Sequence, residues 1–97
     1  MAMVTVETLV IRKHAVQEMT ADAISVADAL SVINHSDIIK NYPDDRPYPS
    51  RLMLLVLAGR PLHVVAATDD QSGLTYLITA YVADPTLWED DFKRRKR

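Results

Sequence analysis

The order of apolar and polar positions gives the two halves of the chain different periods. In "TVETLVIRKHAVQEMTADA" there is no Pro or Gly, and Leu9, Ala15, Val16 and Met19 fall on one broad helical face. A helix over residues 6–20, capped by Thr5, is expected. Val4, Val6, Thr8 and Val10 also alternate, so a short leading strand is the other reading of its start. Ser25 followed by Asp28 resembles a capping box, with Asp in place of Glu or Gln. Behind it Val26, Ala29, Leu30 and Ile33 repeat at helical spacing, which predicts a second helix over residues 26–34, stopped by Asn34 and His35.

After this point the period becomes two. "DIIKNY" reads as a short strand. "YPDDRPYPS", with three prolines, must be a loop. Residues 51–58 are continuously apolar after Arg51 and read as a central strand. "GRP" turns the chain, residues 62–68 form the next strand, "DDQSG" turns it again, and residues 74–82 form the last long strand. Asp84–Pro85 opens a short turn, and Trp88 packs that segment back on the body. Helix, helix and a four-strand antiparallel meander make an α+β fold. Both helices are expected on one face of a curved four-stranded antiparallel sheet.

Alternation sorts the strand side chains into two sets. Leu62, Val64, Ala66, Leu74, Tyr76, Ile78, Ala80 and Val82 form the more apolar set, which the helices should cover. His63, Val65, Ala67, Thr75, Leu77, Thr79 and Tyr81 form the other. A turn centred on Gln71 would set His63 opposite Thr79 and diagonal to Tyr81, within side-chain reach on the open face. A half-buried imidazole satisfied by a neighbouring hydroxyl is one reading of His63. A shallow acid/base site is the other.

Composition narrows the class. Ninety-seven residues suit one small domain, expected over residues 1–92 with a mobile basic tail at 93–97. The absence of cysteine excludes disulfides and thiolate zinc sites and fits a cytoplasmic protein. No apolar run reaches membrane-helix length, and the first residues lack the features of a secretory signal, so no membrane partner is expected. The net charge of −2 hides an asymmetry: without the terminal "KRRKR" the balance is 6 basic minus 13 acidic, or −7. The body therefore lacks the general basic surface that nucleic acid prefers. The three histidines have no zinc spacing, and Asp44–Asp45 between prolines reads as a turn, so no metal or cofactor is implied.

Four segments, "KHAVQEM", "ISVADAL", "YPDDRPYPS" and "RPLHVV…TAYVADPTLW", resemble in order and spacing a family of small bacterial domains of unknown function placed near the RelE-like ribonuclease toxins. The resemblance implies an α+β fold of the RelE and barnase–EndoU kind, RNA as substrate and a cognate antitoxin-like partner. It also implies metal-independent endoribonuclease chemistry on the open face. The matched polar residues are His14, Arg46, His63, Thr79 and Tyr81. Two positions depart from the family pattern: Glu18 and Asp22 stand where Arg is usual, which removes phosphate-binding charge.

RNA transesterification needs an acid, a base and cations on the phosphate. His63 and His14 are the candidates for acid and base, with Tyr81 as a proton donor or stacking ring. Arg46, Arg51 and Arg60 are the candidate phosphate ligands, with Thr79 beside them. The alternative is a non-catalytic interaction module of the same fold, binding a protein partner or nucleic acid.

Overall fold

The computed structural model describes residues 3–97. Its elements are β1 (Leu9–Ile11), α1 (Lys13–Ala21), α2 (Val26–His35), β2 (Asp37–Tyr42), β3 (Ser50–Leu57), β4 (Arg60–Asp69) and β5 (Leu74–Val82). A single 3-10 turn, Val6–Thr8, precedes β1. Among the described residues no helix is long and apolar enough to cross a membrane.

The sheet has five strands in the order β1-β5-β4-β3-β2. β2 to β5 pair antiparallel, each with the next, while β1 lies parallel to β5 with Leu9 opposite Thr75 and Ile11 opposite Leu77. The expected four-stranded antiparallel sheet is therefore corrected to a five-stranded mixed one. The first helix begins at Lys13 rather than near Val6. The β-branched run Val4–Val6–Val10–Ile11 favours extended backbone, and strong helix formers begin only with "KHAVQEM". Pairing with the edge of β5 gives this extended segment its hydrogen bonds.

Two acidic side chains complete that edge. β1 is too short to cover all of β5, so the outward N–H groups of Ala80 and Val82 have no strand partner. Glu18 Oε1 accepts from Ala80 N at 3.3 Å, and Asp22 Oδ2 accepts from Val82 N at 2.9 Å. Both carboxylates project from α1 or its C-terminal cap and stand in for a missing strand. α1 ends through Ala23, at φ 53°, with Ile24 N donating to Met19 O at 2.9 Å. This is a left-handed cap occupied by a residue less suited to it than glycine. α2 starts as its sequence predicts: Ser25 Oγ accepts from Asp28 N, and Asp28 Oδ2 from Ser25 N.

Both helices pack on one side of the sheet. There Ala15, Met19, Ala29, Val32 and Ile33 close over Met53, Leu62, Val64, Ala66, Leu77 and Ala80. β4 and β5 shift register between Val65 and Ala66: Val65 faces Thr79, but Ala66 faces Leu77. The extra residue, Ile78, makes this a β-bulge and reverses which side the rest of β5 presents. Leu77 and Thr75 consequently join the helix side, where alternation alone assigned Leu74 and Tyr76. Tyr76 instead stacks on Tyr48, with ring centroids 5.5 Å apart.

Candidate functional site

On the side away from the helices, one row crosses the sheet: Asp37, Leu54, His63 and Tyr81 are successive cross-strand partners. The expected neighbour Tyr81 lies directly opposite His63 rather than diagonal to it. The hairpin centre and the bulge together shift the register by two residues, and a shift of two preserves the side a residue faces.

His63 is not open to solvent. Its exposure is 0%. The chain after β5 turns back over it, with the Trp88 ring edge-on at 4.5 Å and the Tyr81 ring at 5.3 Å. Its Nε2 lies 2.7 Å from the carbonyl oxygen of Phe92, and its Nδ1 lies 3.1 Å from the Tyr81 hydroxyl. A carbonyl can only accept, so Nε2 carries the proton. Nδ1 of the neutral ring then accepts, and Tyr81 O–H donates to it. Burial pushes the His63 pKa below its ordinary value, opposed by the Phe92 carbonyl, which favours the charged ring. Burial is also the main influence on Tyr81, raising its pKa; the Tyr42 phenol and Glu18 push the same way and Arg95 opposes them. Tyr81 therefore stays protonated, as its donor role requires.

The cover over His63 is the basic chain end. Asp84 Oδ1 accepts from Thr86 N and Oγ1, and Trp88 N donates to Asp84 O. Trp88 then bridges Arg95, Glu89 N donates to Arg94 O at 2.8 Å, and Lys96 N donates to Leu87 O at 2.9 Å. Asp91 holds the reversal by accepting from Lys93 N and Arg94 N. Residues 94–96, within the segment expected to be a mobile tail, are laid along residues 87–89 as one arm of a small hairpin. Trp88 is buried against Leu52 and Ala83, as its expected packing role implies.

Beside this cover lies a groove of about 410 Å³. Lys40, Lys93 and Arg95 stand around it, and Tyr42 and Tyr81 contribute their phenols. Lys93 pairs with Asp37 at 3.4 Å, while the Arg95 guanidinium rests over Trp88 at 5.5 Å. Lys40 lies over the Tyr42 ring at 5.4 Å. Three cations stand against two carboxylates, Asp37 paired with Lys93 and Glu18 acting on Tyr81, and leave the groove net positive although the protein as a whole is acidic.

The other expected site residues do not meet there. Thr79 donates its hydroxyl to Glu18, and exposed His14 lies 3.3 Å from the same carboxylate, at the α1 side of β5. Arg60 donates to Asp22 O at 2.9 Å and pairs with Asp28 at 3.4 Å, against the helices. Arg51 donates to Thr68 at 3.3 Å, also on the helix side. Arg46 is exposed in the loop before β3, whose Asp45 accepts from Ser50. Of the expected set, His63 and Tyr81 come together beside the groove, His14 and Thr79 meet at Glu18, and the three arginines lie elsewhere.

Lys40 and Tyr42 are functional candidates that sequence reasoning missed, and Lys93 and Arg95 join them from a basic run that sequence alone reads as an RNA or acidic-partner contact or as a solvated end. The spacing of Lys40 and Tyr42, two apart on β2, was a usable signal. The tail cations were visible as a charge run, but nothing local says where a charge run folds back. No curated protein and no solved structure matches the chain. The model of the family described as "Domain of unknown function (DUF4258)" matches residues 11–82 of the 97, spanning both helices and β2 to β5, and the chain belongs to that family.

Proposed function

We propose that the open side of the sheet binds single-stranded RNA, and that the domain holds RNA without using His63 as acid or base. The observation that carries this reading is the groove where Lys40, Lys93 and Arg95 surround Tyr42 and Tyr81. Ammonium and guanidinium groups suit phosphates, and phenol faces suit unstacked bases. RNA rather than another polyanion follows from the resemblance to RelE-like ribonuclease toxins, which also makes the cytoplasm the expected compartment. His63 is excluded from direct proton transfer because both ring nitrogens are occupied and solvent does not reach it.

One observation favours the endoribonuclease reading. Tyr81 lines the groove, and its hydroxyl is oriented by His63. In that reading Tyr81 is the proton donor and His63 a positioning residue. An antitoxin-like protein would meet the same cations with carboxylates.

A single experiment separates these readings. Labelled single-stranded RNA is titrated with purified protein at several salt concentrations, and the same samples are run on a denaturing gel. The binding reading predicts intact RNA and an affinity that falls with salt, with a logarithmic slope of roughly −2 for three phosphate contacts. The double variant Lys93→Glu/Arg95→Glu should bind at least about tenfold more weakly. Cleavage that disappears in Tyr81→Phe would establish the nuclease instead. Absence of RNA binding at low salt would overturn both and leave the protein partner.

A further inference from the structure

A second cavity lies on the opposite side of the sheet and takes no part in the proposed RNA surface. It is an open cavity of about 600 Å³ near the end of α2. Arg51 reaches it from β3, on the same side as the core residue Met53. Arg51 Nη1 donates to Thr68 Oγ1 at 3.3 Å, and Thr68 Oγ1 is 3.4 Å from that of Thr75. Thr75 is 1% exposed. Among the described residues no carboxylate forms an ion pair with Arg51. Burial lowers the Arg51 pKa from its ordinary value, with no acidic neighbour working against it. Among the described residues this half-buried guanidinium has one hydrogen-bond partner, the Thr68 hydroxyl, and it is short of an anion, because removing charge from water is costly unless a counter-charge replaces the solvent.

Val4, Ile33, Ile38 and Met53 give the cavity an aliphatic wall, and Thr8 and Ser36 add hydroxyl residues to its lining. The Val4 wall is held in place, since Asn34 accepts from Val4 N at 2.8 Å and donates to Val4 O at 2.9 Å. Asp70 also borders the cavity and is exposed.

We propose that this cavity binds a small aliphatic monocarboxylate, with its carboxylate on Arg51 and its hydrocarbon body against Val4, Ile33 and Met53. One guanidinium matches one carboxylate in a two-point contact. A phosphate dianion fits less well, with a single cation to meet it and Asp70 at the rim to repel it. The volume lies in the range of small-molecule sites, and the aliphatic walls offer an aromatic ring no stacking partner.

The test is amide chemical-shift titration of the full chain with 4-methylpentanoate, 4-methylpentanol and inorganic phosphate. The carboxylate should give saturable shifts at Ile33, Thr68 and Thr75, with a Kd on the order of 1 mM. The alcohol and phosphate should bind at least about tenfold more weakly, since each lacks one half of the recognition. Arg51→Met should abolish the preference for carboxylate over alcohol. It should also leave the melting temperature unchanged or raised, because it removes an unpaired half-buried charge. Arg51→Lys, which keeps the charge but loses the fork, should retain weakened binding. The proposal is overturned by an absence of saturable shifts with 4-methylpentanoate, by equal response to the alcohol, or by undiminished carboxylate binding in Arg51→Met. Stronger binding of phosphate than of 4-methylpentanoate would also overturn it.

Discussion

The two sides of the sheet are closed by different physics. Under the helices, Leu62, Val64, Leu77 and Ala80 are fully covered by apolar neighbours and ask only for volume. On the other side His63 is just as covered, yet its two nitrogens each demand a partner in a fixed direction. Apolar packing tolerates many arrangements of similar volume, whereas a buried imidazole specifies one. The difference also has a location. The helix-side core is built from the family-matched residues 11–82, while the His63 cover comes from the chain beyond them. The basic end is therefore both a lid for a polar core residue and the source of two of the groove's three cations.

The comparison is broken most severely by truncating each side in turn. Leu62→Ala should destabilise the protein by about 2–5 kcal/mol, through lost burial plus a residual cavity. His63→Ala should cost less, about 1–3 kcal/mol, by leaving the Tyr81 hydroxyl and the Phe92 carbonyl without their partner. Chemical denaturation measures both. Only the second variant should also loosen the chain end, which trypsin would report as faster cleavage at Lys93 to Arg95. Equal trypsin sensitivity in the two variants, matched for stability, would mean that His63 does not hold the cover.

A smaller effect follows from pH. Burial sets the folded-state pKa of His63 below the ordinary value of about 6.5 that the unfolded chain keeps. As pH falls, the unfolded chain takes up this proton first. The stability associated with neutral His63 is thus fully present above about pH 6.5 and is lost as pH falls through the lowered folded value. Thermal melts between pH 8 and pH 5 should show wild type losing more stability on acidification than His63→Gln. Parallel curves for the two proteins would contradict this.

Much of this contrast was legible in the sequence, for reasons that can be named. The Ser25–Asp28 box, the limits of β2 and the proline loop are local signals, and local chemistry decided them. The side on which His63 lies was legible because strand alternation is short-ranged. What was hidden depended on residues far apart. The uninterrupted β-former run "LTYLITAYV" gives no sign of the extra residue at Ile78, so Tyr76 and Leu77 were assigned to the wrong sides. β1 exists only because β5 offers it an edge. Glu18 and Asp22 looked like losses of phosphate-binding charge, but they serve as backbone acceptors on that same edge. The cover was hidden because its anchor, the bond from His63 to the Phe92 carbonyl, spans 29 residues.

The central claim is that His63 is a buried, neutral, doubly bonded imidazole rather than an open acid or base. Long-range proton–nitrogen NMR on the histidine side chains tests this directly. At pH 7 His63 should have a protonated Nε2 in slow exchange with water and an unprotonated Nδ1, and its ring should titrate below the ordinary histidine range. An imidazole that titrates freely near 6.5, with both nitrogens exchanging rapidly, would contradict it.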